Sequence, residues 1–331
     1  MSLLTLKNQE LLSFTAIAYH NFNMLYCIVF IYRINGAHGS LEFISKSIDR
    51  IRSILPNAKI LIDLPGNKIR LNNIEKPIAI KYGDEINLSR EHFNCSDFFD
   101  LVKNHMEFFT NEGQDTLLVI KHDRKSIQFK SLSNGVLLNN KGFTATGINK
   151  SLPFLFEKDK QLLQLIHLKS IDYAGLSFTR TYKDILTAKE YAGFNQQFMV
   201  KVETRDAIGD LKDIFSHSEY ILIDRGDLSL EVGVENVPYY IDYVLKNKMA
   251  HNKIFIATQF LKFMETHPVP LLSEINDIYN TLQKDIEGIQ LSEETAIGHF
   301  PVECLQVVSK IMDIIYSSNT RNKLNEICQR R

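Results

Sequence analysis

The chain has 331 residues, 44% of them hydrophobic and 23% charged, with a net charge of −1. At roughly 150 residues per domain this length points to about two domains, and the balanced charge excludes a broadly basic nucleic-acid binder. Four scattered cysteines (Cys27, Cys95, Cys304, Cys328) form no C-x-x-C pair, which argues against a zinc site or a disulfide framework and for a reducing compartment. The apolar run 24–32 is about half the length a membrane helix needs, and the opening MSLLTLKNQE has no basic segment leading into an apolar core. A cytoplasmic protein with no membrane segment is expected.

In chain order, the first eleven residues hold only SLLTL before a helix-like stretch at 7–20. Short apolar runs follow at 24–32, 58–62, 171–178, 197–202, 220–223, 253–257 and 288–291. Each suits a strand buried on both faces. Amphipathic stretches at 39–55, 158–169, 182–192, 206–215 and 234–250 read as the helices between them. The alternation predicts an α/β (β/α)8 barrel whose first strand is short or missing. From 71 to 149 the pattern changes to short runs such as EINLS and TLLVIKH, punctuated by Gly and Asn. That middle predicts an inserted, small β-barrel-like domain of hairpins, with the barrel over 1–70 and 150–331. A barrel of about 250 residues leaves about 80 for the insert.

Active sites of such barrels lie at the C-terminal ends of the strands. The residues ending the runs are Arg33 and Asn35; Asp63 with Lys68 and Arg70 beyond; Ser177 and Arg180; Lys201 and Glu203; Arg225 and Asp227; Thr258; and Ser292 and Glu294. In VKVET the spacing of two puts Lys201 and Glu203 on one face of a strand. Glu203 and Asp227 fit one hard cation such as Mg2+. Arg33, Lys201 and Arg225 suit a phosphate or carboxylate. Together these point to phosphoryl transfer or enolate stabilisation. Any one of them is equally well half of a structural ion pair, and it is the set at matching strand ends that favours a site. The glycines of NNKGFTATG lead into no Gly-Lys-Ser/Thr and make no P-loop.

These strings resemble the pyruvate kinase family, in order along the chain. RINGAHG, IDLPGNKIR, NNKGFTATG, FEKD, LSFTR, VKVET, ILIDRGDLSLEVG, IATQFLKFM and LSEETAIGHFP each resemble a family motif, over about residues 25 to 315. The resemblance implies phosphoryl transfer from phosphoenolpyruvate to ADP, giving pyruvate and ATP through a metal-stabilised enolate. It implies that Glu203 and Asp227 hold Mg2+ or Mn2+. It gives Lys201 the transferring phosphoryl group and Arg33 the phosphate. Gly226, Asp227 and Thr258 would hold the substrate carboxylate, with Arg70 also on substrate and Thr258 assisting protonation.

The departures from the family pattern carry their own expectations. Asn35 and Asp63 keep half of a monovalent-cation site, whereas Ala37 and Leu64 replace its other two members. Lys68 resembles the potassium-independent members, so K+ is not expected to be required. The family's T-I-G-P loop has no counterpart, and Pro65, Thr144, Thr146, Asp224 and Glu293 depart from its motifs. The family's C-terminal domain is expected to be absent, which predicts a monomer or homodimer. With the ADP half altered, two alternatives stand beside the kinase: a metal-dependent 2-oxo acid enolate lyase (aldolase or decarboxylase) and a non-catalytic regulatory paralogue.

Overall fold

The structure is a computed structural model, and it describes residues 14–20, 28–95, 97–111, 113–145, 148–193 and 195–329. The chain divides into two compact units, one of 1–64 with 161–331 and one of 65–160.

The strands in chain order begin with β1 (Phe14–His20), β2 (Ile28–Asn35) and β3 (Lys59–Asp63). In the 65–160 unit lie β4 (Ile78–Ile80), β5 (Glu85–Ser89), β6 (Glu107–Thr110), β7 (Asp115–His122), β8 (Ser126–Ser131), β9 (Gly135–Leu137) and β10 (Phe143–Thr144). The first unit resumes with β11 (Tyr173–Leu176), β12 (Gln197–Val202), β13 (Tyr220–Asp224), β14 (Lys253–Ala257) and β15 (Gly288–Gln290).

Eight strands close a barrel in the order β1-β15-β14-β13-β12-β11-β3-β2. Seven run parallel, and β1 is antiparallel to both its neighbours, β2 and β15. This answers the expectation of a short or missing first strand. The closing strand lies within the stretch that reads as helical, and the SLLTL segment falls outside the described residues. A strand antiparallel to its neighbour needs no crossover helix, so a search for alternating strands and helices passes over it.

Helices form where the sequence supplies both a cap and an apolar stripe. Over Leu41–Ile54, the Ser40 hydroxyl accepts from the Phe43 N–H at 3.2 Å, and Ile44, Ile48 and Ile51 bury one face. That is the i, i+4, i+7 spacing of a core-facing stripe. The stretch 206–215 reads as one helix but forms two, Arg205–Gly209 and Leu211–His217. They break at Asp210, whose carboxylate accepts from the Tyr182 N–H at 2.7 Å.

The 65–160 unit is β-rich and antiparallel: a five-stranded sheet in the order β10-β6-β7-β8-β5 and a two-stranded β4-β9 ribbon. Its core combines aliphatic residues with a cluster of phenylalanines. Phe98, Phe108, Phe129 and Phe143 are fully buried, and Phe108 stacks on Phe143 at 4.9 Å between centroids. Burying each such ring contributes about 1.5–3 kcal/mol. The neck of this unit is tied by Asp159, which accepts from the Gly66 N–H at 2.9 Å and the Phe156 N–H at 2.8 Å.

Candidate active site

The barrel interior has an apolar floor of Ile31, Leu61, Tyr173, Met199, Leu222, Phe255 and Ala257. Strand side chains alternate, so two residues further along the same face turns inward again. From Ile31, Leu61, Met199 and Leu222 this step reaches Arg33, Asp63, Lys201 and Asp224. The mouth of the barrel is therefore a polar layer placed directly on an apolar one. It lies at the C-terminal ends of the parallel strands.

Lys201 organises this layer. Its Nζ lies 2.9 Å from Glu203 Oε2, 3.0 Å from Asp224 Oδ2 and 4.0 Å from Asp63 Oδ2. The lysine is 4% exposed. Burial pushes its pKa down, but Asp224, Glu203, Asp63 and Asp227 outweigh burial and hold it well above the ordinary value. The ammonium stays charged because four carboxylates surround it.

Glu203 is fully buried, and its Oε1 accepts from the Phe178 N–H at 2.6 Å. Phe178 aims that amide from a left-handed backbone, φ 56°. Burial first, then the charges of Asp227 and Asp224, push the Glu203 carboxyl up to about 8, against the pull of Lys201. Asp63 accepts from Arg33 Nε at 2.7 Å and pairs with its terminal nitrogen at 2.7 Å, which fixes the guanidinium. A Cβ on Gly175 would stand 1.8 Å from Asp63 Oδ1, so only glycine fits opposite this carboxylate.

At the next strand end, Asp224 caps the helix Arg225–Val232. Its Oδ1 accepts from the Gly226 N–H at 3.2 Å and the Asp227 N–H at 3.4 Å. The Thr258 hydroxyl accepts from the Gly226 N–H at 3.0 Å and donates to Asp224 Oδ1 at 3.4 Å. Thr258 and Gln259 both have positive φ, 74° and 59°. For a β-branched threonine this is a strained conformation, of the kind that concentrates at functional sites.

The carboxylates of Glu203, Asp224 and Asp227 offer oxygens all within 4.8 Å of one another. Three hard oxygen donors at that spacing suit Mg2+ or Mn2+. Glu203 Oε2 meets Lys201 at 2.9 Å and no other partner among the described residues, so a lone pair remains for a cation. In charge as in donor type, the residues present fit a divalent metal.

The barrel unit thus brings together Arg33, Asp63, Lys201, Glu203, Gly226, Asp227 and Thr258. Asn35 pairs with Asp63 across β2 and β3, and its Oδ1 accepts from the Ala37 N–H at 3.0 Å. Lys68 and Arg70 belong to the 65–160 unit. There the Lys68 carbonyl accepts from Asn94 at 3.1 Å, and Arg70 donates to the Asn140 carbonyl at 3.4 Å. Arg225, which the sequence offers as an anion binder, is otherwise engaged: it pairs with Asp277 at 2.7 Å, donates to the Thr258 carbonyl and lies over the Phe260 ring.

Two residues of the polar layer escape the sequence reading. Asp224 figures there only as a departure from a motif. Gln290, at the end of β15, is fully buried and in register with Ala257 of the floor, and among the described residues neither of its amide atoms has a hydrogen-bond partner. Carrying the period of two one step past Leu222 and past Gly288 would have found both.

The family model described as the barrel domain of pyruvate kinase matches residues 22–305. A pyruvate kinase of Borreliella burgdorferi is 29% identical over 84% of this chain and 61% of its own length. One of Thermotoga maritima is 29% identical over 85% of the chain and 64% of its length. One of Buchnera aphidicola subsp. Schizaphis graminum is 31% identical over 84% and 63%. The chain thus spans less than two thirds of these relatives. Among the described residues no helix is long and apolar enough to cross a membrane.

Proposed function

The chain belongs to the pyruvate kinase family, and on that premise we propose that it transfers a phosphoryl group between phosphoenolpyruvate and a nucleoside diphosphate. The observation that carries this reading is the buried Lys201 ammonium set against Glu203 and Asp224, within a group of carboxylates spaced for one cation.

Each residue has a task. Lys201 presents a fixed positive charge where a transferring phosphoryl group gains negative charge, at no cost of reorganisation. Arg33, held by Asp63, offers a guanidinium to phosphate oxygens. Glu203 and Asp227, with Asp224 beside them, would hold Mg2+ or Mn2+, which when bound supplies charge for the phosphoryl and enolate oxygens. Thr258 stands where a proton is delivered to or taken from the three-carbon unit, its hydroxyl oriented by Gly226 and Asp224. The family motif assigns Arg70 to substrate, and Lys68 to the role that a monovalent cation plays in other members.

A coupled assay with phosphoenolpyruvate, Mg2+ and a panel of nucleoside diphosphates, in choline rather than potassium buffer, tests the proposal. Pyruvate formation that depends on the diphosphate supports it. Metal-dependent exchange of pyruvate methyl protons without transfer to any diphosphate would move the assignment to a 2-oxo acid enolate lyase. Neither activity would leave the non-catalytic paralogue.

A further inference from the structure

Asp224 divides its carboxylate between two neighbours. Oδ1 accepts from the Gly226 and Asp227 amides at 3.2 and 3.4 Å and from the Thr258 hydroxyl at 3.4 Å. Oδ2 lies 3.0 Å from Lys201 Nζ. Two amides and a hydroxyl converging on one oxygen, at the positive end of a helix, form a cradle for a carboxylate. Here the chain supplies that carboxylate itself. Asp224 is the N-cap of this helix, and Asp ranks with Asn and Ser among the favoured caps. What capping does not require is its place, 6% exposed, in the carboxylate group spaced for a cation.

Gln290 is the second sign that the mouth receives a ligand. It is 0% exposed, neither its amide oxygen nor its nitrogen has a hydrogen-bond partner among the described residues, and it lies in the interior layer that holds Asp224 and Ala257. A buried amide in that state costs stability unless something bonds to it.

The geometry points to Asp224 as the specificity-determining residue of the mouth: its own carboxylate occupies the cradle that a ligand's carboxylate would take. A small carboxylate ligand binds only by displacing it, while Glu203 and Asp227 remain to hold the cation. The inference rests on the reading of this mouth as a divalent-cation site for phosphoenolpyruvate.

The test uses the full chain with Mn2+, titrated with phosphoenolpyruvate in a calorimeter without nucleotide. Asp224→Ala empties the cradle, and its phosphoenolpyruvate affinity rises at least tenfold. Asp224→Gly, whose missing side chain is well tolerated as a cap, shows the same gain and guards against a folding defect in the alanine variant. Asp224→Asn keeps an oxygen in the cradle and stays within threefold of wild type. No gain in either the alanine or the glycine variant overturns the inference. So does an equal gain in Asp224→Asn, since charge and not occupancy would then govern binding. Mn2+ binding, followed by electron paramagnetic resonance, separates the two levels. Normal Mn2+ binding with unchanged phosphoenolpyruvate affinity sinks the inference alone. A wild type that binds no Mn2+ sinks the cation-site reading and the inference with it.

Discussion

The Lys201 ammonium stands 3.0 Å from Asp224 Oδ2 in a setting where neither group is more than 6% exposed. A buried pair of this kind draws its effect from what surrounds it, because each charge is costly without the other. Glu203, Asp63 and Asp227 add carboxylates around the same lysine. The mouth therefore carries more negative than positive charge, and that balance underlies the predictions that follow.

Lys201→Met should cut phosphoryl transfer by about 10²–10³-fold, the typical cost of removing one preorganised charge-stabilising group. Exchange of pyruvate methyl protons with deuterated water, which depends on Thr258 and the carboxylate group, should persist in Mg2+. Thr258→Val should show the opposite bias. Proton NMR of pyruvate beside the coupled assay reads both, and equal loss of the two activities in Lys201→Met would count against the assignment.

A ligand that binds only the folded protein stabilises it, by about 2.7 kcal/mol at a hundredfold excess over its Kd. Mn2+ or Mg2+ should accordingly raise the melting temperature of the wild type. The Glu203→Ala/Asp227→Ala double variant should lose the shift. An unchanged shift in the double variant would place the metal elsewhere.

Any transfer activity should be indifferent to replacement of choline by K+. The reason is the combination of Lys68 with Ala37 and Leu64, read against the retained Asn35 and Asp63. Initial rates in matched chloride salts check this, and a strong activation by K+ would overturn the role given to Lys68.

Asp159 supplies a pH dependence with a definite sign. Burial pushes its carboxyl up to about 6, although the Phe156 and Gly66 amides and the charges of Lys158 and Arg70 pull the other way. Unfolded, it titrates near 4. Between about pH 4 and 6 the folded chain therefore binds more proton than the unfolded one, and this group's contribution to stability falls as pH rises, then levels off above 6. The full swing is on the order of 2–3 kcal/mol. Subtracting the denaturation midpoints of Asp159→Asn from those of wild type across this range isolates the effect, and a difference that does not change with pH would refute it.

Much of the site was legible because strand periodicity is strict. Once VKVET was read as a strand end, Lys201 and Glu203 had to share a face. The motif strings around Arg33, Asp227 and Thr258 marked the neighbouring strand ends in the same way. Asp224 is less legible because the apolar run ends at Ile223, which leaves an inward-facing carboxylate just outside it. Gln290 was hidden inside GIQL, where one amide among apolar residues looks like a strand interior. Arg225 misled because its charge gave no hint of Asp277, a partner 52 positions away in sequence. Strand β1 was illegible for a topological reason: it closes the barrel antiparallel to both neighbours, outside the parallel alternation of the other seven strands.

Gln290→Leu should stabilise the ligand-free protein by about 1–2 kcal/mol, since it removes a buried amide that has no hydrogen-bond partner among the described residues. Chemical denaturation measures this directly. A loss of stability of similar size would mean that the amide is satisfied in solution.

If the mouth is a cation-assisted site acting on a three-carbon acid, pyruvate exchanges its methyl protons in deuterated water on the wild type. That exchange should require Mg2+ or Mn2+ and be abolished in the Glu203→Ala/Asp227→Ala variant. Exchange that proceeds equally with and without metal, or that survives in the double variant, would contradict it.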